Sequence, residues 1–184
     1  ASCATTTLPP MTAGCIAITG GVSAVAHDDG RLWTTHVCEK SEDDPDTNPD
    51  TNPENVVVTE WPVDGSLPED TTLPNFVGTA SVTIYGQSVA VFGMGSAMPQ
   101  PMLSAMGPDE SGFSQTWDPT LEETTLYDRP VIVADKTGWL YTLARVPAAP
   151  ADRLTVMVKA VDTPTWAFAP GVALPTDATG TVPF

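Results

Sequence analysis

The chain has 184 residues, with 23 Asp and Glu against seven Lys and Arg, so its net charge at neutral pH is -16. Such a charge destabilises the compact state through self-repulsion. In about 1 M salt this repulsion is screened, because the Debye length is then only about 3 Å. The sequence has no basic stripe, which excludes a protein that recognises phosphate groups. Its hydrophobic content of 41% excludes global disorder, and no apolar run is long enough to form a membrane-spanning helix.

The N-terminal region holds two of the three cysteines, Cys3 and Cys15, and the third is Cys38. One internal disulfide would leave one thiol over, and Cys3, on a Thr- and Pro-rich arm, is the expected spare. Three thiols without a bridge are the alternative, and the spacing does not decide between them. The start of the chain lacks a basic region followed by an apolar core, so we expect no intact signal peptide.

Nineteen prolines and fourteen glycines divide the chain into short elements. The runs between them are rich in Val, Ile, Thr and aromatic residues, which is strand composition, and no window keeps a helical period. We expect one helical turn at most, around Met102–Met106. The predicted strands lie near 15–19, 22–27, 31–37, 55–60, 79–85, 88–94, 113–117, 130–135, 139–146, 154–161 and 165–169.

The first predicted hairpin turns at Asp29-Gly30, a pair typical of a two-residue type I′ turn. This register places Ala26 on the same face as Trp33. It places His27 on the opposite face together with His36, about four residue pairs away along the strands.

Two further hairpins are predicted. Gly86 suits the first central position of a type II′ turn, which pairs Ile84 with Val89 and gives one apolar and one mixed face. The third hairpin has arms 131–134 and 139–143, which are nearly continuous apolar runs. Such runs are covered on both faces, so we expect this hairpin to be central, or to be buried by a neighbouring subunit.

About ten short strands separated by turns predict an all-β protein, namely a single jelly-roll barrel or sandwich of about 8–11 antiparallel strands. The composition shows no second domain, so residues 1–184 are predicted to form one. We expect an N-terminal arm at 1–14, a protruding acidic loop at 39–54 and a C-terminal arm at 170–184.

The acidic loop contains the tetrapeptide Asp-Thr-Asn-Pro twice in succession. Clustered carboxylates suit calcium, but the spacing matches no calcium-binding loop, so a solvated loop is the favoured interpretation. The weak candidates for cation binding are Asp43, Asp44, Asp46 and Asp50. The methionine-rich segment 93–107 is predicted to be a long crossover loop, with a copper site as a remote alternative.

Catalytic chemistry is not indicated. His27 and His36 would lie roughly 13 Å apart on one face, too far to share a metal. His36 and Cys38 could both bind zinc only if two ligands came from elsewhere. Adjacent carboxylates such as Asp109-Glu110 and Glu122-Glu123 are typical of solvated loops. The sequence therefore predicts no catalytic residue, no metal site and no cofactor, and we expect a protein that is not an enzyme.

Five tryptophans leave one binding alternative open. Trp61 and Trp117 lie at predicted strand ends, where exposed aromatic rings stack on sugars. Packing in the core or in a subunit interface is the commoner role of such residues.

Several stretches carry a resemblance to a known family. They are the start Ala1-Ser2-Cys3, the lysine-poor loop Glu39–Glu54, the hairpins Ser81–Met94 and Val131–Val146, and the apolar ending Thr181-Val182-Pro183-Phe184. In these stretches, and in length, acidity and strand layout, the chain resembles the smaller major capsid protein of haloarchaeal icosahedral viruses with an internal membrane.

The resemblance implies a structural protein of the virion shell. Such a protein is a single jelly roll standing upright on the capsid. It assembles with itself and with a larger capsid protein into pseudo-hexameric capsomers, contacts no nucleic acid, and meets the membrane only indirectly through the internal lipid layer. An odd cysteine could link partner subunits. The alternatives are a secreted or surface β-sandwich that binds glycans, and a virion decoration or spike protein.

Overall fold

The structure, a computed structural model, consists of short antiparallel strands, and the residues it describes contain no helix. The predicted all-β class is therefore confirmed, and no helix in this part of the chain is long and apolar enough to span a membrane. The described residues are 15–18, 22–40, 54–73, 75–95, 101–108, 110–117, 130–146, 153–160, 163, 165–168 and 172–173. The strands are β1 (Cys15–Ile18), β2 (Ser23–Ala26), β3 (Leu32–Lys40), β4 (Glu54–Trp61), β5 (Glu69–Leu73), β6 (Phe76–Tyr85), β7 (Ser88–Gly95), β8 (Pro101–Met106), β9 (Ser114–Trp117), β10 (Ile132–Ala134), β11 (Trp139–Val146), β12 (Arg153–Ala160), β13 (Ala167–Phe168) and β14 (Val172–Ala173).

The strands form three antiparallel sheets in chain order. The first sheet has the order β1-β3-β4-β5, with β2 also paired to β3. The middle sheet is β6-β7-β8-β9, and the third sheet is β10-β11-β12-β13, with β14 also paired to β12. Three successive four-stranded meanders, β2–β5, β6–β9 and β10–β13, are thus present. The predicted jelly-roll connectivity is not confirmed, because a jelly roll winds Greek keys between two sheets whereas consecutive strands are neighbours here.

The middle sheet is buried on both faces. Because side chains alternate along a strand, Val89 and Val91 of β7 face the first sheet while Ala90 and Phe92 face the third. Phe92 contacts Trp166, with ring centroids 5.3 Å apart. The core therefore has two layers. The first layer lies between the first and middle sheets and consists of Trp33, Val56, Val58, Leu73, Phe76, Ala80, Val82, Val89 and Val91. The second layer lies between the middle and third sheets and consists of Ala90, Phe92, Leu103, Ile132, Leu140, Met157 and Trp166.

The first strands of the three meanders lie side by side at one edge. The Ser81 hydroxyl of β6 is 3.3 Å from the Ser23 hydroxyl of β2 and accepts a 3.3 Å hydrogen bond from the backbone N–H of Ile132 in β10. The Ser23 hydroxyl also accepts a bond from the N–H of Val82. Stacked meanders whose first strands adjoin resemble neighbouring blades of a β-propeller.

The hairpin around Gly86 has the predicted register. Ile84 is opposite Val89, and Gly86 has φ 59°, a conformation that glycine adopts without strain. The predicted apolar face is confirmed, since Val82, Ile84, Val89 and Val91 belong to one apolar cluster. The mixed face is not exposed to solvent, because Ser81 and Thr83 on it are also buried. The cause is the third sheet, which covers that face.

The hairpin around Gly30 is shifted by one residue from the predicted register. His27 donates its backbone N–H to the carbonyl of Arg31, so the loop holds three residues, with Gly30 at φ 92°. Val25, not Ala24 or Ala26, therefore shares a face with Trp33. A one-residue shift reverses both faces of a strand, and it brings His27 to the side of the first sheet that carries Trp33.

Three strands were not predicted. β5 is exposed at its first four residues and rich in acidic and Thr side chains, as suits the edge of a sheet. β8 occupies the segment predicted as a crossover loop with a helical turn. Pro101 is tolerated there as the first residue of the strand, where its missing N–H matters least. β14 lies within the predicted C-terminal arm.

The single-domain assignment stays a prediction. The N-terminal arm 1–14 and residues 41–53 of the acidic loop lie outside the described residues. The strands extend to Lys40 and resume at Glu54, so the loop is shorter at both ends than predicted.

Candidate functional site

A polar cleft of about 560 Å³ opens between the first and middle sheets. It lies where the loop between β2 and β3, the turn between β6 and β7, and the connection between β8 and β9 come together. Trp33, Val89 and Met106 line its apolar floor, and acidic side chains surround them. We call this the inter-sheet cleft.

Strand register places these side chains. Trp33, Glu60 and Glu69 are successive cross-strand partners on β3, β4 and β5, so they form a row across the inner face of the first sheet. Val89 and Met106 are partners on β7 and β8 of the middle sheet, and they face that row. The cleft is thus the polar continuation of the apolar layer between the two sheets.

Arg31 holds two carboxylates of the cleft together. Its guanidinium donates to Asp29 and to Glu60, both at 2.7 Å. The hydrogen bond to Glu60, followed by that to Asp29, raises the pKa of Arg31. The backbone N–H of Arg31 is the main cause of the lowered pKa of Asp29. Glu110 accepts a 2.7 Å bond from the backbone N–H of Gly107, and Glu69 adds a further carboxylate.

A second feature is the outer apolar face of the third sheet, formed by Val131, Val133, Trp139, Tyr141, Leu143, Val156 and Val158. The register places Val133 opposite Tyr141, Tyr141 opposite Val158, and Leu143 opposite Val156, all on the side away from the middle sheet. Trp139 is 42% exposed and Leu143 41%. The prediction that this hairpin is central is wrong, since among the described residues only its inner side is covered. Burial by a neighbouring subunit stays a prediction.

The structure separates the predicted metal ligands. His27 lies on the inner side of the first sheet and His36 on the outer side, so the prediction of one shared face is wrong. Cys38 is disulfide-bonded, which removes it as a zinc ligand and makes Cys3 or Cys15 its partner. Burial lowers the pKa of His36. No group of three or more metal-binding side chains occurs in the described part of the chain.

Other predicted sites divide between described and undescribed residues. Asp43, Asp44, Asp46 and Asp50, the pair Glu122-Glu123, and Asp109 lie outside the described residues. Trp61 donates its indole N–H to the Thr34 hydroxyl at 2.9 Å, and the Trp117 side chain is not among those described. The inter-sheet cleft is not predicted by the sequence, in which the length of the loop between β2 and β3 is its one signal.

Comparison with known proteins finds no matching protein family and no matching curated protein. Among solved structures, the Hadza microbial sialidase Hz136 is similar to 80% of this chain, with 12% sequence identity and a TM-score of 0.48. The chain spans 32% of that protein's length.

Proposed function

We propose that the protein is a structural subunit that assembles by packing the outer apolar face of its third sheet against the same face of a second copy. The observation that carries this proposal is the cross-strand array of exposed Val, Leu and Trp side chains on β10, β11 and β12, with Tyr141 among them partly buried. Burying apolar surface releases about 25 cal/mol per Å², and contiguous apolar patches mark interaction surfaces.

The charge distribution favours association through this sheet. Residues 130–160 contain four of the seven Lys and Arg but only two of the 23 acidic residues. The remainder of the chain therefore carries a larger negative charge than the whole. Two copies that meet at their third sheets bring together their least acidic segments, where mutual repulsion is weakest.

The same face of a second copy is the occupant that fits. On the outer side of the first sheet Val57 is 2% exposed and Thr59 3%. The exposed large apolar side chains described on that side, Ile18 and Leu32, lie near opposite ends of β3, so they do not form an array like that of the third sheet. A two-fold interface uses the same surface patch on both subunits, so one apolar face can pack against its own copy. Inside the molecule, sheets already pack on one another through faces of the same composition.

The virion shell is the larger assembly that the sequence resemblance implies, with a bigger capsid protein as the second partner. This part of the proposal rests on the resemblance and on the acidic surface. It does not require jelly-roll connectivity, because docking through the third sheet uses only β10, β11 and β12.

The test is the native mass in molar salt, measured by light scattering over a range of concentrations. Leu143→Asp places a charge in the centre of the outer apolar face and is expected to give a monomer where the unaltered chain is a dimer or larger. Leu67→Asp is the matched control, since Leu67 is 83% exposed in the connection between β4 and β5.

A monomer at every concentration of the unaltered chain would refute the proposal. So would an equal loss of mass in both variants, because general acidity rather than the third sheet would then control association. Circular dichroism of Leu143→Asp checks that the fold is retained.

A further inference from the structure

Two buried nitrogens at the inter-sheet cleft lack a hydrogen-bond partner among the described residues. They are the indole Nε1 of Trp33 and the imidazole Nε2 of His27. Trp33 is 4% exposed, and the side chain of His27 is 9% exposed. Buried polar groups in native proteins are almost always satisfied, so two unpaired nitrogens on residues that line one cleft call for an explanation.

The two nitrogens have different hydrogen-bonding capacities. The indole N–H only donates. In His27, Nδ1 lies 3.2 Å from the backbone nitrogen of Asp29 and 2.9 Å from its carboxylate Oδ1. Nε2 therefore donates when Nδ1 accepts from the backbone, and accepts when Nδ1 donates to the carboxylate. Together the pair offers one fixed donor and one group that adapts to its ligand.

The surrounding charge limits what can bind. Asp29, Glu60, Glu69 and Glu110 line the cleft together with Arg31, which is already engaged by two of these carboxylates. An anion would therefore meet net repulsion. An ammonium ligand would suit the carboxylates but has no acceptor for the indole N–H. A neutral molecule with several hydroxyl groups satisfies both, because each hydroxyl donates to a carboxylate and accepts from a nitrogen.

We propose that the inter-sheet cleft binds a neutral carbohydrate, with Trp33 and His27 as hydrogen-bonding groups at its floor and Glu60 and Glu69 as acceptors at its rim. Met106 packs against the cluster that contains Trp33, and its flexible side chain moves aside to admit a ligand hydroxyl to the indole nitrogen. The apolar floor contacts the C–H face of the sugar ring. This site is independent of the third sheet and does not rest on the proposed assembly.

The test uses the full chain labelled with ¹⁵N in molar salt and follows the indole N–H signals by NMR. The probes are cellotriose, maltotriose and diacetylchitobiose as neutral sugars, sialyllactose as the anion and choline as the cation. At least one neutral sugar is expected to shift the Trp33 signal saturably. Trp33→Phe keeps the apolar floor, removes the donor, assigns the signal and is expected to weaken binding about tenfold, or about 1.4 kcal/mol.

Trp61→Phe is the control, since Trp61 already donates to Thr34 on the outer side of the first sheet, and it is expected to leave affinity unchanged. Glu60→Gln, which nearly preserves side-chain shape, provides a second test if Trp33→Phe does not fold, and it is also expected to weaken binding. The proposal is overturned if no neutral sugar moves the Trp33 signal, if sialyllactose or choline binds more tightly, or if Trp61→Phe weakens binding as much as the cleft variants do.

Discussion

One hydroxyl group, that of Ser81, contacts the first strands of both neighbouring sheets, and Ser81→Ala removes it. Ser81 is 6% exposed, and its Oγ accepts from the backbone N–H of Ile132 and pairs with the Ser23 hydroxyl. Without it the buried N–H of Ile132 has no acceptor, which costs about 1–3 kcal/mol. The Ser23 hydroxyl retains its bond from Val82, so it adds little to this loss. We expect Ser81→Ala to lower the free energy of unfolding by about 2 kcal/mol.

The assay is urea unfolding in molar salt, followed by tryptophan fluorescence. Ser104→Ala is the matched control, because Ser104 is also buried in the middle sheet. Its hydroxyl makes a 3.5 Å bond to the backbone carbonyl of Ser114, an exposed residue. The control is expected to lose less than about 1 kcal/mol. Equal losses in the two variants would refute the reasoning, since Ser81 would then stabilise its own sheet and not the junction of three.

Three further predictions follow from charge and cysteine chemistry. Dilution from molar to about 50 mM salt should lower the thermal midpoint as carboxylate repulsion is unscreened, and an unchanged midpoint would contradict this. Asp135 accepts hydrogen bonds from the backbone N–H groups of Thr137 and Trp139, and the bond from Trp139 is the main cause of its pKa being lowered to about 2. Because the pKa of Asp135 is lower in the folded state, its contribution to stability is complete above the ordinary pKa of 3.8 and is lost as the pH falls toward about 2. In an acid titration of the free energy of unfolding, Asp135→Asn should abolish this loss. Thiol titration of the unfolded, unreduced chain should find one free cysteine, whereas three would show that Cys38 is not bridged.

The local sequence pattern was sufficient to predict strands in which apolar and polar residues alternate, or which lie between clear turn sequences. The hairpin at Gly86 has the predicted register because a two-residue turn with glycine at its first central position permits few alternatives. The hairpin at Gly30 does not have the predicted register, because Asp28-Asp29-Gly30 suits a two-residue or a three-residue loop equally well. This ambiguity led to the wrong assignment of the two faces of β2, and so to the wrong prediction that His27 and Trp33 lie on opposite faces.

Strands whose signal depends on their neighbours were missed. Acidic residues and Thr in β5 are acceptable only because it is the edge of the first sheet, and the methionines of β8 belong in a strand only because β7 and β9 pair with it. Sequence periodicity reports on one element at a time and carries no information about which partner lies beside it.

The sequence by itself determined that this is an acidic β protein of short strands, since proline, glycine and β-branched residues act locally and charge is a simple count. Only the tertiary structure decided that three meanders stack in chain order, that the middle one is covered on both sides, and that His27 and Trp33 line one cleft. Those properties depend on contacts between strands far apart in the chain, where a shift of one residue exchanges the buried face for the exposed one.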